Sequence, residues 1–336
     1  MYQETTMDIK CSIFEEEKEE FPWDENVLKE FKKSIKDQGI HCLMDDIFLL
    51  GFLRARKFDI ESSLQLLKNY YNMRVNNPQF FKNLLPSKLE HVLKMNIFQF
   101  LPKPDQDGTY ILICRYCNWN TSVASAADLW RVIMLCMDLQ LTLHRTQEKK
   151  IICIVDAGGL TLSHFYHLSP NIIYWLAMLI AKNSYIIGYK AVHYVNLNSI
   201  MKAVLSVLLP LLSDELKKKL HFHSDMKTLH EFINPDCLPL EYGGILPGYD
   251  PTEANNMIRA NEEFYKRNEE YVKLYEEESK RSSKEDRFTN VIEDPQEEKM
   301  KKFIEKSEEK FKRYSNNPEA FLDSLKEDLE FEITLF

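Results

Sequence analysis

The stretch AVHYVNLNSIMKAVLSVLLPLLSDELKKKLHFH, Ala191 to His223, places a β-rich run, an apolar helical run and a second β-rich run one after another. "AVHYVN" has the β-branched and aromatic content of a strand. From Ile200 to Leu212, ten of thirteen residues are apolar, with Lys202 and Ser206 leaving a thin polar stripe, and the pattern predicts a helix over Ser199–Leu212. Ser213, followed by Asp214 and Glu215, starts a short second helix, and "LHFH" is a further candidate strand. Strand, helix and strand in this order make the unit of a parallel sheet.

The alternation extends upstream. After the turn signal "LPKPDQDGTY", the runs "TYILICRYC" and "KIICIVDAG" read as strands, with helices around Ala124–Leu143 and Ser169–Lys182. The expected class is therefore α/β with a largely parallel sheet. Earlier still, "WDENVLKEFKKSIKDQGI" is a helix ended by Gly39. Asp45 and Asp46 open "DDIFLLGFLRARKFD", whose far end carries Arg54, Arg56 and Lys57, as the helix dipole favours. Asp59 caps the next helix, in which Ile60, Leu64, Leu67 and Tyr71 recur at helical spacing. Beyond "LPLEYGGILPGYDP" the composition turns to Glu, Lys, Asn and Ser. "NEEFYKRNEEYVKLYEEESKRSSKED" predicts an extended solvated helix, "SSKEDRFTNVIEDPQEE" a break, and a second charged helix follows. The expected organisation is an acidic arm (1–22), a helical bundle (23–92), an α/β domain (93–250) and an acidic helical or partly disordered tail (251–336).

Composition narrows the function. The 336 residues, 44% hydrophobic, suffice for one large or two modest cores. Residues 1–249 carry 28 acids and 27 bases, whereas 250–336 carry 24 acids and 16 bases. Neither part has the basic face a nucleic acid needs. "MYQETTMDIK" followed by "FEEEKEE" lacks an apolar signal core, so the cytosol is expected. Ile200–Leu212 would reach about 20 Å as a helix against roughly 30 Å of hydrocarbon. Seven scattered cysteines read as reduced thiols, and Cys114 and Cys117 as ordinary packing. "DAGGL" at Asp156–Leu160 is a turn without a phosphate-binding pattern. His164, His167, His193, His221 and His223 acquire no carboxylate or third ligand from the sequence, although His221 and His223 share a strand face. No catalytic residue, metal or cofactor is expected.

Two accounts of Ile200–Leu212 remain open: a core helix surrounded by other elements, or a gate that covers a cavity on one side and meets a membrane on the other. Lys217, Lys218 and Lys219 compensate a helix dipole, yet an anionic membrane would attract each base by roughly 1 kcal/mol. An apolar helix beside such bases suits reversible interfacial contact.

The blocks "DDIFLLGFLRARKFDIESSLQLLKNYYNMR", "IVDAGGLTLSHFYHLSP", "AVHYVNLNSIMKAVLSVLLPLLSDELKKKLHFH" and "LPLEYGG" resemble, in order, the CRAL-TRIO lipid-binding family, especially its alpha-tocopherol transfer and cellular retinaldehyde-binding branch, over roughly Trp23–Gly248. The resemblance implies a helical bundle packed on an α/β domain whose sheet floors a closed hydrophobic pocket, with Ser199–Leu212 as its lid. It also implies a basic cleft for a phosphoinositide headgroup, phosphatidylinositol bisphosphate, at Arg56, Lys190 and Lys219 with Lys217 close by; Arg54 is a further candidate. Gly188 and Glu215 stand where tocopherol-transfer relatives carry bases, which implies a weaker or rearranged cleft. Strand alternation and helix faces nominate Ile111, Ile113, Ile152, Ile154, Tyr174, Met178, Ile200, Val204, Leu205 and Leu208 as pocket lining. The expected function is a non-catalytic cytosolic carrier, transiently at membranes, for one hydrophobic small molecule or lipid such as a retinoid or tocopherol. A twenty-carbon cargo entering water bare would lose on the order of 16 kcal/mol. The rival readings are a phosphatidylinositol or phospholipid exchanger, and a lipid-sensing scaffold that recruits a protein partner through its tail.

Overall fold

A computed structural model describes residues 21–181, 188–282 and 295–326. The first layer is helical: α1 (Glu25–Asp37), α2 (Asp46–Ala55) and α3 (Ile60–Asn76), then the single turns α4 (Pro78–Phe81) and α5 (Glu90–Leu93). Asp24, Asp45 and Asp59 each cap a helix by accepting a backbone N–H two or three residues on. Gly51 explains itself by packing, since a Cβ there would collide with Leu141 and press on Gln147. The glycine lets α2 approach the next layer closely, where Gln147 donates to the Ile47 carbonyl at 2.7 Å.

Five strands follow in sequence order across one sheet: β1 (Phe98–Phe100), β2 (Tyr110–Arg115), β3 (Ile151–Asp156), β4 (Tyr189–Val195) and β5 (Leu220–Phe222). β1 is antiparallel to β2 and the others are parallel, the expected α/β class. The sequence signal of β1, three residues before a Pro-rich turn, is too short to read. Because the order never reverses and parallel crossovers are right-handed, the connecting helices fall on one face. These are α6 (Ala126–Gln140), α7 (His144–Lys149), α8 (Leu162–His167), α9 (Pro170–Ala181) and α10 (Ser199–Leu208). The expected Ser199–Leu212 helix gives way after Leu208 to a 3-10 turn over Leu209–Leu211, because Pro210 has no N–H to continue the ladder. Ser213 then caps α11 (Asp214–Lys217).

The opposite sheet face is closed by α12 (Met226–His230) and the segment to Tyr249. Leu229, Ile233, Leu238 and Tyr242 pack there on Ile111, Ile113, Ile152, Ile154 and Val195. Asp156 fastens this segment, accepting the Tyr242 hydroxyl at 2.9 Å, the Gly158 N–H at 2.9 Å and the Asn196 amide at 2.9 Å. "DAGGL" is thus a turn tied by its own carboxylate.

The tail departs from the solvated helices expected. It forms α13 (Thr252–Ala260), α14 (Glu262–Ser282), α15 (Pro295–Tyr314) and α16 (Pro318–Lys326). α13 is tied to α5 by the Arg259 and Glu90 side chains at 3.0 Å. α14 lies on α3: Phe264 and Tyr265 are buried, Tyr275 stacks on Tyr71 at 5.3 Å, and the Tyr265 hydroxyl donates to the Leu135 carbonyl at 2.9 Å. α15 and α16 form a hairpin against α9 and α10, burying Ile304, Phe311, Phe321 and Leu325. Full burial of one such side chain stabilises by about 1.5–3 kcal/mol. The signal is present, for Met300, Ile304 and Phe311 recur at four and seven residues. Residues 283–294, most of the expected break, and 1–20, most of the acidic arm, lie outside the described residues.

Candidate functional site

Between the sheet and its helical layer lies a cavity of about 170 Å³. The parallel register builds its floor in rows, Leu112 beside Cys153 beside Val192, then Cys114 beside Val155 beside Tyr194. All six line the cavity. α6 supplies Leu129, Trp130 and Ile133 as a wall, and α10 supplies Met201, Val204, Leu205 and Leu208 as the roof. Asn198 positions that roof, its side chain accepting the Met201 N–H at 3.1 Å while donating to the Leu160 carbonyl at 3.1 Å.

The lining is chemically quiet. Cys114 and Cys153 meet Sγ to Sγ at 3.7 Å, and that thiol contact, with burial, pushes Cys114 well above the ordinary thiol range. It therefore stays protonated at neutral pH and is a poor nucleophile. Burial likewise raises Tyr194 far above the usual phenol value. Lys219 is the one charged lining residue among the described residues, and it sits at the rim bonded to Glu215 at 3.3 Å. Such a space accepts hydrocarbon and offers an amphiphile one charged edge.

The expected lining residues divide. Val204, Leu205 and Leu208 stand in the cavity wall. Ile200 is buried, and Tyr174 half-buried, in the packed core rather than on the lining; the Met178 side chain lies outside the described residues. Ile111, Ile113, Ile152 and Ile154 are a correction: they point to the other face, against α12 and Tyr242. The cause is the period of two, by which a choice of the wrong alternate residue moves a whole strand to the wrong face. β2 and β3 are buried on both faces and give no hint. β4 does, because His193 marks its far face while Val192 and Tyr194 on either side of it mark the cavity face, and register carries that assignment across the sheet.

The basic residues also divide. Arg54 turns inward, donating to Gln147 at 2.6 Å and to the Phe21 carbonyl at 2.8 Å and pairing with Glu148 at 2.8 Å; a guanidinium so engaged and buried is structural, which corrects its nomination for a headgroup. Arg56 donates to the Ala55 carbonyl at 3.1 Å at the end of α2. Lys190 lies within β4 and Lys219 just before the neighbouring β5, the Val192 N–H reaching the Lys219 carbonyl at 2.8 Å. Their ammonium groups nonetheless serve different acids: Lys190 binds Asp107 at 2.7 Å and Asp105 at 3.2 Å. Lys217 pairs with Asp214 at 3.5 Å.

His193, His221 and His223 gather on the far face, whereas His164 and His167 lie on α8 beside Trp119. His193 Nδ1 lies 2.9 Å from His223 Nε2, and His193 stacks on His221 at 4.9 Å. Among the described residues no group of three or more His, Cys, Asp or Glu is placed to hold a metal ion, and no helix is long and apolar enough to cross a membrane.

Residues 94–244 match the family model described as CRAL/TRIO domain, and residues 22–90 the model described as Pinta-like, UBA domain. Alpha-tocopherol transfer protein-like from Mus musculus is 32% identical over 263 residues, covering 77% of this chain and 76% of that protein. Clavesin-1 from Xenopus laevis is 33% identical over 209 residues, covering 61% of this chain and 63% of that protein. The crystal structure of Sfh5 aligns with 70% of this chain and 97% of its own at a TM-score of 0.40 and 14% identity. On the ordered sheet with its one-sided helical layer, the matched domain and the relatives alike over most of both chains, this chain belongs to the CRAL/TRIO family of lipid-binding proteins.

Proposed function

We propose that the protein is a non-catalytic carrier that shields one hydrophobic small molecule or lipid beneath α10 and releases it at membranes. The observation that carries this reading is the cavity itself, walled by aliphatic and aromatic side chains with a single ammonium group at its rim. Its protonated thiols and phenols suit shelter rather than reaction. The resemblance to a protein named for alpha-tocopherol transfer supports a cargo of that kind, an extended hydrocarbon with one polar end. Lys217 and Lys219, beside the roof, are the residues we assign to contact with an anionic membrane surface or a phosphoinositide headgroup.

Native mass spectrometry and solvent extraction of the purified protein test the reading. A bound lipid, or stoichiometric uptake of a retinoid or tocopherol by an emptied protein, is expected. An empty protein that takes up neither these nor phospholipids would overturn it. The position of Lys219 also favours a second reading, phospholipid exchange with the headgroup at the rim; transfer of labelled phosphatidylinositol between vesicles, with no uptake of neutral lipids, is the outcome that would select it.

A further inference from the structure

The roof helix α10 is covered from outside by the α15–α16 hairpin. Met201, Val204, Leu205 and Leu208 face the cavity, whereas Ile200, Ala203 and Val207 are buried without lining it. α16 lies against α10, and α15 against α9. Phe311 and Phe321 close on Phe165 of α8 with ring centroids 4.9 and 5.6 Å away. Glu308 accepts the Asn171 N–H in the first turn of α9 at 2.7 Å.

We propose that the α15–α16 hairpin is a latch on α10, and that a lipid surface releases it. The proposal rests on the carrier reading, since a latch matters only if α10 moves. A helix covered on its outer side at the density of a protein interior cannot swing outward until that outer layer leaves. In water that step exposes Phe321, Leu325, Val207 and their neighbours, so the hydrophobic effect holds the gate shut. A bilayer receives the same groups without that penalty and so favours the open state through differential affinity. α15 has the form such a surface accepts, an apolar stripe of Ile304 and Phe311 beside exposed Lys301, Lys302, Lys306, Lys312 and Arg313, interspersed with Glu298, Glu305 and Glu309.

The test uses the full chain loaded with a pyrene-labelled fatty acid and mixed with phosphatidylcholine vesicles, alongside amide hydrogen exchange. Phe321→Asp is expected to release the probe about tenfold faster and with little dependence on vesicle concentration, as a gate without its closed-state bias should. Phe321→Leu should stay near the parent, and the surface variant Glu308→Ala should fall between, which keeps the test open if Phe321→Asp does not fold. Hydrogen exchange must rise in α10 and α16 while β2 to β4 stay protected. Parent-like release from a variant whose hairpin has demonstrably detached overturns the latch alone. Failure of every form, the parent included, to take up the probe would remove the carrier reading and the latch with it.

Discussion

Arg74 of α3 and Asp138 of α6 form a buried ion pair between residues far apart in the chain, and it joins the helical bundle to the sheet layer. The Tyr70 hydroxyl donates to the same carboxylate oxygen at 3.1 Å, the Arg74 guanidinium lies 3.3 Å over the Tyr70 ring, and Asn268 of α14 donates to that hydroxyl at 2.8 Å. Three layers thus meet on one charge. Asp138→Ala would strand the guanidinium in an apolar setting and is expected to cost about 3–5 kcal/mol, whereas the double replacement Arg74→Met with Asp138→Leu should cost much less. Urea unfolding of both variants decides it; equal losses would show that packing, not the unpaired charge, sets the stability.

Adjacent residues of β3 test which face of the sheet the cavity occupies. Val155 borders open space, so Val155→Phe should change stability by about 1 kcal/mol or less while cutting uptake of a hydrophobic probe sharply. Ile154 points into the packed far side, so Ile154→Phe should overpack it at about 1–3 kcal/mol and leave uptake intact. Chemical denaturation with fluorescent lipid binding separates the two; the reverse pattern would put the cavity on the wrong side.

Why the caps were legible and the cavity face was not follows from where the information sits. Asp45, Asp59 and Ser213 act on their own next turn, so local chemistry suffices. The choice between Ile113 and Cys114, or Ile154 and Val155, depends on what packs above and below a doubly buried strand, and side-chain type does not encode it. The roof helix is apolar on its outer face as well as its inner one for a reason its own sequence does not disclose: the second cover is α16, more than a hundred residues later. In the tail the many charges mask a sparse apolar set, although Ile304, Phe311, Phe321 and Leu325 are enough to dock it.

The histidine group on the far face predicts acid sensitivity. His193 is buried, and burial together with neighbouring His221 and His223 holds its pKa down to about 3; burial lowers His221 and His223 as well, while Asp225 works against it at His223. The native state keeps His193 neutral, so as pH falls below about 6.5 the unfolded chain binds its proton first and stability drops. The contribution is complete above that pH and is lost progressively toward pH 3. Between pH 7 and pH 5, His193 alone should remove about 2 kcal/mol. His193→Gln should flatten the dependence, read as urea midpoints at the two pH values; parallel slopes for parent and variant would refute the assignment.

Lys217 and Lys219 offer the last separation, between membrane contact and stability. Each is partly exposed and, among the described residues, pairs with an acid of the short α11, at 3.5 and 3.3 Å, an arrangement worth less than about 1 kcal/mol. The joint reversal Lys217→Glu with Lys219→Glu should therefore leave the unfolding midpoint nearly unchanged. It should weaken binding to phosphatidylserine-containing vesicles by roughly 2 kcal/mol or more at low salt, with the difference shrinking as salt rises. Arg54→Ala should do the opposite, because its guanidinium holds Phe21, Gln147 and Glu148 rather than facing a headgroup: a clear loss of stability with vesicle affinity retained. Vesicle co-sedimentation beside thermal unfolding reads both quantities, and undiminished vesicle affinity in the lysine variant would retire the assigned membrane contact.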